Sequence, residues 1–188
     1  MRSMFHRAYD FNQDVSSWDV SNVTNMSELF GYASSFNQDL STWDVSSVTD
    51  MGAMFYEADS YNQDLSGWDV SNVTTMENMF GWNSAFNGDI SGWDVSNVTN
   101  MKWLFWSATN FNQDISSWDV SSVVNMNRMF EKATSFNQYL SSWDVSSVTN
   151  MIDMFLDADA LSDDNKCAIH TSFQSNDAWP YAWPNCYQ

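Results

Sequence analysis

The chain has 188 residues, and 24 acidic against six basic side chains give it a formal net charge of -18. This charge argues against nucleic acid or an anionic membrane surface as a partner, because both would repel the chain. No apolar run approaches the roughly 20 residues that a transmembrane helix needs, so we expect no membrane insertion. The 13 Phe, 11 Trp, seven Tyr and 12 Met side chains predict a folded protein, because their burial can offset the entropy cost of ordering the backbone.

A 25-residue repeat governs the sequence from Met1 to Phe155 without insertion or deletion. Each full repeat carries a Trp-Asp-Val-Ser phrase, and its tryptophans are Trp18, Trp43, Trp68, Trp93, Trp118 and Trp143. Repeats of this length form solenoids, in which each coil buries its apolar face only against neighbouring coils. We therefore predict a solenoid of six full coils over residues 1–160 and a C-terminal cap over residues 161–188.

The start of the chain matches only part of a repeat, because Met1 to Phe5 align with Met26 to Phe30. This alignment predicts a partial N-terminal coil. A sequence that begins within a coil is expected to be a fragment, whose targeting segment could lie upstream.

Within one coil, two different periodicities follow each other. Trp43 and Val45 are two residues apart, which places them on one face of a short strand. The next apolar stripe has the i, i+3, i+4, i+7 spacing of a short helix and consists of Met51, Met54, Phe55 and Ala58. The sequence thus predicts a leucine-rich-repeat-like coil with one short parallel strand and one short helix.

The repeat pattern changes after Phe155, where a cap is expected. Ser162-Asp163-Asp164 is typical of a helix N-terminus, and we expect Trp179 and Trp183 to act as apolar plugs beneath a Pro-rich tail. Two cysteines, Cys167 and Cys186, lie in this cap. A disulfide between them fits a secreted protein, and two unpaired buried thiols are the alternative.

The whole motif Trp-Asp-Val-Ser-x-Val-Thr-x-Met-x-x-Met-Phe-x-x-Ala recurs along the solenoid. It resembles the BspA-type leucine-rich repeat of bacterial and algal surface proteins, with a looser likeness in the cap. The resemblance implies a leucine-rich-repeat-like solenoid, an extracellular or cell-surface location, and adhesion or binding. It brings no catalytic residues with it.

Stacking converts each repeated residue into a ladder, and one ladder consists of Asp19, Asp44, Asp69, Asp94, Asp119 and Asp144. Unit charges on strands about 4.8 Å apart repel by about 1 kcal/mol in water. Hydrogen bonding of each carboxylate within its own turn would offset this repulsion. Alternatively, the ladder binds Ca²⁺, for example through Asp44, Asp69 and Asp94, and the bound cation compensates the repulsion. We place this ladder among the candidate binding residues.

Two further ladders favour structural roles. We expect the carboxylates of Asp14, Asp39, Asp64, Asp89 and Asp114 to cap turns. The other ladder is predicted to join neighbouring coils through its amides, and consists of Asn12, Asn37, Asn62, Asn87, Asn112 and Asn137.

The repeated tryptophans share a face with the valines of the motif and are therefore predicted to lie in the core. Trp82, Trp103 and Trp106 depart from the repeat. They form either an exposed apolar contact site or a cluster that packs over neighbouring coils, and both remain open from the sequence.

Catalysis is poorly supported, because His6 and His170 lie at opposite ends of the solenoid and no triad or phosphate loop can be assembled. We predict a non-catalytic extracellular binding or adhesion module that presents a regular acidic surface to a protein or glycan. One alternative is a calcium-dependent structural array. The other is recognition of an ordered surface such as ice or mineral by the serine and threonine ladders.

Overall fold

In the computed structural model, which describes residues 1–186, residues 1–161 form a stack of coils with very little regular secondary structure. Neighbouring coils are paired by single parallel bridges: Asn25 with Asp50, Asp50 with Thr75, Thr75 with Asn100, Asn100 with Asn125, and Asn125 with Asn150. The repeat solenoid is as predicted. The predicted strand at Trp43 and Val45 is wrong, because the pairing lies at another position of the coil and is only one residue long.

The predicted helix in each coil is also wrong. Residues 51–58 form a succession of tight turns, in which the Ala58 N–H donates to the Phe55 carbonyl at 3.1 Å. The intervening amides point out of their own coil, and the Phe55 N–H donates to the Met79 carbonyl of the next coil at 2.9 Å. An α-helix would have used both sets of amides internally, whereas turns leave half of them free to join the coils.

These turns require a left-handed backbone at two positions in every coil. In the coil of Met51 the two residues are Ala53 and Glu57, each with φ of 52°. Because the backbone alternates in this way, Met54 and Phe55 point into the core while the residues on either side of them point outward. The apolar spacing is therefore that of a helix although the backbone is not helical.

The core consists of columns of stacked rings. Phe55 lies between Phe30 and Phe80, with ring centroids 5.8 and 5.7 Å away. The repeated tryptophans form a second column, and from Trp43 to Trp143 they are only 3–4% exposed. Their indole N–H groups donate to a carbonyl of the preceding coil, as from Trp93 Nε1 to the Leu65 oxygen at 2.9 Å. The prediction that the repeated tryptophans belong to the core is confirmed for these five and is wrong for Trp18, which is 39% exposed.

The C-terminal cap begins with helix α1, Asp163–Phe173, and the Ser162 side chain accepts the Asn165 N–H at its N-terminus. Ile169 and Phe173 are buried against the last coil. The Phe155 N–H would donate to a further coil but instead donates to the Tyr181 hydroxyl at 2.7 Å. A 3-10 turn follows at Pro184–Cys186.

Two other features of the cap follow the sequence predictions. The rings of Trp179 and Trp183 lie against Phe155, with centroid distances of 6.3 and 6.0 Å. Cys167 and Cys186 form a disulfide in the structure. The predicted cap extends to residue 188, and its last two residues lie outside the described part of the chain.

Candidate binding face

The acidic ladder from Asp19 to Asp144 is held by hydrogen bonds within each turn. Asp44 Oδ1 accepts the Ser46 N–H at 3.1 Å and the Ser46 hydroxyl at 2.6 Å. These two bonds, the hydroxyl first, lower the pKa of Asp44, while the charges of Asp69 and Asp19 act in the opposite direction. All six carboxylates accept the backbone N–H of the serine two residues later. The structure therefore contains the hydrogen bonds within each turn that were expected to offset the repulsion between neighbouring carboxylates.

The described residues, 1–186, contain no preformed cluster of ligands for Ca²⁺. Among residues 1–186 no three His, Cys, Asp or Glu side chains come together closely enough to share a metal ion. Asp44, Asp69 and Asp94 each have one carboxylate oxygen occupied by two serine donors. A calcium-dependent array therefore stays a hypothesis, which a melting experiment can test.

The other two polar ladders have the predicted structural roles. Each carboxylate from Asp14 to Asp114 accepts the backbone N–H of the serine two residues later, at 2.8–3.0 Å. The side-chain oxygen of Asn37 accepts the Asn62 N–H of the next coil at 3.0 Å, and the ladder continues in this way to Ser162, which donates to Asn137. Both predictions are confirmed.

The outward positions of the tight turns carry the variation between coils. We define the turn face as the four outward residues of each coil, which run from Arg2, Ser3, His6 and Arg7 to Ile152, Asp153, Leu156 and Asp157 at intervals of 25. It contains all four glutamates and five of the six basic residues of the chain. Five basic and six acidic side chains leave it with a net charge of -1, against -18 for the whole chain.

Two columns of the turn face are the left-handed residues. Fourteen non-glycine residues have φ between 52° and 62°, and no glycine of the described chain has a positive φ. They include Tyr32, Trp82 and Trp103, for which this conformation is a marked outlier. A left-handed backbone costs an L-residue roughly 1–2 kcal/mol, which glycine would avoid. The side chains are thus kept at these positions in spite of a local energetic cost.

Trp82, Trp103 and Trp106 meet on the turn face. The Trp82 and Trp106 rings are perpendicular, with centroids 5.5 Å apart, and Trp103 lies 5.8 Å from Trp106. Trp82 is 44% exposed and the other two are half-buried. The Lys102 ammonium lies 3.7 Å from the centre of the Trp103 ring. The cluster therefore packs across coils and still leaves one large ring open to solvent.

A family model described as "Mycoplasma protein of unknown function, DUF285" matches residues 1–91 and again residues 75–176. The chain belongs to this family. No curated protein matches it. A leucine-rich repeat protein of T. pallidum is a structural neighbour at 9% identity, with a TM-score of 0.49 over 84% of this chain and 70% of the other.

This DUF285 chain has no helix within residues 1–186 that is long and apolar enough to cross a membrane. The family description assigns no function, so the evidence for one has to come from this member itself. The residues that differ from coil to coil are therefore the informative ones in this member.

Sequence reasoning missed a zigzag row of aromatic rings on the turn face of this DUF285 protein. Five consecutive coils contribute one ring each, alternating between two neighbouring columns: His6, Tyr32, Tyr56, Trp82 and Trp106. Their separations of 26, 24, 26 and 24 residues were the available signal. Gly31 makes room for this row, because a Cβ there would lie 3.0 Å from His6 Nδ1. A Cβ on Gly81 would collide first with Asn78 Oδ1 and would also lie 3.2 Å from Tyr56 Cδ2.

Proposed function

We propose that this protein is a non-catalytic extracellular binding or adhesion module whose turn face contacts a protein or glycan partner. One observation carries the proposal: side chains that vary from coil to coil stand on a left-handed backbone that glycine would occupy at lower cost. Local strain that is retained in a structure supports a hypothesis of function at that place. Thirteen of these fourteen residues are at least partly exposed, so core packing does not account for them.

The turn face also has the composition of a contact surface. Aromatic residues and arginine are enriched at protein interfaces, and this face carries the zigzag row together with Arg2, Arg7 and Arg128. Its near-neutral balance separates it from the rest of the chain, whose excess of aspartate repels anionic surfaces.

In this proposal the acidic ladder is not the contact site itself. Its carboxylates cap turns, and their summed charge provides a field that attracts cationic partners and repels nucleic acid. An extracellular or cell-surface location is part of the proposal, and the disulfide between Cys167 and Cys186 favours it. The assignment to the BspA type of leucine-rich repeat belongs to the same proposal.

Recognition of an ordered surface such as ice is less favoured by the contacts. The Thr49 hydroxyl donates to the Thr24 carbonyl at 3.2 Å, and Thr74 repeats this bond to Thr49 at 3.1 Å. The hydroxyl donors of this regular ladder are thus occupied by carbonyls of the preceding coil. Val124 interrupts the ladder with an exposed apolar side chain.

The proposal is tested with Trp82→Gly, which replaces an exposed ring at a φ of 55° by the residue best suited to that backbone. Relief of about 1 kcal/mol of backbone strain should offset the lost ring contacts, so we expect melting close to that of the wild type. Protein and glycan arrays probed with both chains should show ligands that the variant no longer binds.

The control is Tyr139→Ala, which removes an aromatic side chain of 55% exposure outside the turn face. It should leave every ligand bound. If no ligand is found for the wild type, or if both variants bind as the wild type does, the turn face is not the contact surface.

A further inference from the structure

A notch interrupts the turn face where three very small residues meet. Gly31, Gly52 and Ala53 occupy positions that carry larger side chains in most other coils. Gly31 and Ala53 leave a cavity of about 220 Å³ bounded also by His6, Glu28, Tyr32 and Tyr56, and Gly52 lines the cavity next to it. Cavities that enclose whole small molecules are usually about 300–1,000 Å³, so this notch is sized for one side chain.

A second cavity continues the notch along the solenoid. It measures about 350 Å³, shares Glu28 and Ala53 with the notch and reaches Trp103. Its walls also carry Asp50 and Glu77. The two cavities form a groove across several coils, with a pair of tyrosines near one end and an indole at the other.

The walls of the notch combine aromatic rings with a carboxylate. The Tyr32 and Tyr56 rings are perpendicular, with centroids 5.1 Å apart. Glu28 holds its carboxylate oxygens 3.4 Å from His6 Nδ1 and 3.6 Å from Arg2 Nη2. Aromatic ring faces attract cations within about 6 Å. A carboxylate forms short charge-assisted hydrogen bonds with the ammonium or guanidinium group of a basic side chain.

The chain already places a cation of its own on this row. The guanidinium carbon of Arg7 lies 5.4 Å from the centre of the Tyr32 ring. The Arg2 side chain, which reaches Glu28 from the rim, is 69% exposed. An exposed pair of this kind is worth less than about 1 kcal/mol, so an incoming cation can displace it at little cost.

We infer that the groove accepts a basic segment of a protein partner, with one lysine or arginine side chain inserted beside Tyr32 and Tyr56 and its charge against Glu28. Asp50 and Glu77 then add negative charge along the groove. Within the chain, Asp50 accepts hydrogen bonds from Asn25 and Gly52, and Glu77 pairs with Lys102 at 3.4 Å. The net charge of -18 attracts such a partner from solution. This inference rests on the proposed function, and it names the chemistry of the partner.

The glycines of the chain provide a direct test. There are six, of which Gly31 and Gly52 line the groove and Gly67, Gly88 and Gly92 lie outside the turn face. In protein labelled with ¹⁵N only at glycine, a short blocked peptide with one arginine between glycine and serine residues should shift the Gly31 and Gly52 amide signals saturably. The signals of Gly67, Gly88 and Gly92 should stay in place. The same peptide with citrulline in place of arginine should cause no shift.

Tyr32→Ala and Tyr56→Ala leave the net charge unchanged and should weaken binding at least fivefold, whereas Tyr139→Ala should not. Because a tyrosine variant can lose its fold, Glu28→Gln gives a second measurement, with the glycine spectrum reporting the fold. It should weaken binding more than Asp119→Asn, which removes one charge elsewhere.

Equal shifts of all six glycine signals would show non-specific attraction to an acidic protein and would overturn the inference. Equal binding of the citrulline peptide would overturn it as well. The outcome is separable from that of the proposed function. Array ligands that depend on Trp82, without glycine shifts, reject the groove alone, whereas the absence of both array ligands and glycine shifts rejects the proposed function as well.

Discussion

Trp93→Phe should destabilise the solenoid much more than the same substitution at Trp18. Trp93 is 3% exposed and its ring lies 6.3 Å from that of Trp68 and 6.4 Å from that of Trp118. Phenylalanine lacks the N–H that donates to the Leu65 carbonyl at 2.9 Å. That carbonyl also accepts the Trp68 N–H at 3.0 Å, so it would keep one partner.

The expected cost has two parts. A lost hydrogen bond of this kind contributes about 0.5–1.5 kcal/mol. The missing second ring leaves a partial cavity, for which roughly 1–2 kcal/mol is a fair share of the 3–5 kcal/mol measured for complete removal of a large aromatic side chain. We therefore expect the free energy of unfolding to fall by about 1.5–3.5 kcal/mol.

Trp18 provides the matched control within the same column. It is 39% exposed, and within residues 1–186 there is no preceding coil to supply a carbonyl for its indole. We expect Trp18→Phe to cost less than about 1 kcal/mol. Urea unfolding followed by circular dichroism measures the free energy of unfolding of both variants. The dependence of this free energy on urea concentration must be equal in the two, because long repeat arrays can lose cooperativity. Equal destabilisation of the two variants would refute the idea that stacking and the inter-coil bond hold this column.

Tyr61→Phe should raise thermal stability by about 1 kcal/mol, because its buried hydroxyl has no hydrogen-bond partner within residues 1–186 and most other coils carry Phe at this position; a lower melting temperature would contradict this. Dithiothreitol should make the cap sensitive to protease, because opening the disulfide between Cys167 and Cys186 removes a constraint worth about 3 kcal/mol for a loop of this length; unchanged cleavage would show that packing alone holds the cap. Acid should destabilise the solenoid below pH 3.8. Serine hydrogen bonds lower the pKa of most turn-capping aspartates, such as Asp44 and Asp69, from 3.8, and the stability that these bonds provide is lost as the pH falls through the lowered values. Rising stability in urea titrations from pH 5 to pH 2 would contradict this expectation. Millimolar Ca²⁺ should raise the melting temperature no more than Mg²⁺ at equal ionic strength, and a calcium-specific rise would instead support the calcium-dependent array.

The sequence was sufficient to predict the solenoid, its core columns and its polar ladders. Trp68 and Asn62 could be placed because a strict period puts equivalent residues next to each other in any stacked coil. Whether such a residue faces the core or the turn then follows from the apolar or polar residues beside it in the repeat. These predictions depend on the period and not on the detailed backbone.

The backbone within each coil could not be predicted from apolar spacing. Met51, Met54, Phe55 and Ala58 have the pattern of a helix face, and they are all buried in the structure. The tight turns bury the same side chains and also free alternate amides, such as that of Phe55, to bond the next coil. Because no glycine marks the left-handed positions, the usual sequence signal for such turns is missing.

The tryptophans outside the repeat were recognised from the sequence as a cluster, but the backbone that brings them together was not. Trp103 and Trp106 lie in the segment that was predicted to be a short helix, and they meet through tight turns instead. Tyr32 and Tyr56 also depart from the repeat in the sequence, but their contact across coils was not predicted. Their relation becomes visible only when the alternation with glycine is followed across coils.

The distribution of the two acidic residue types gives a physical reason for the extreme charge. Eleven aspartates in the two ladders accept the N–H of the serine two residues later, a bond for which the short aspartate side chain is suited. All four glutamates stand on the turn face, where no such bond is required. The charge of the framework is therefore largely a consequence of turn capping repeated in every coil, and selection for a partner is better sought in Glu28 and Glu77 than in the aspartate ladders.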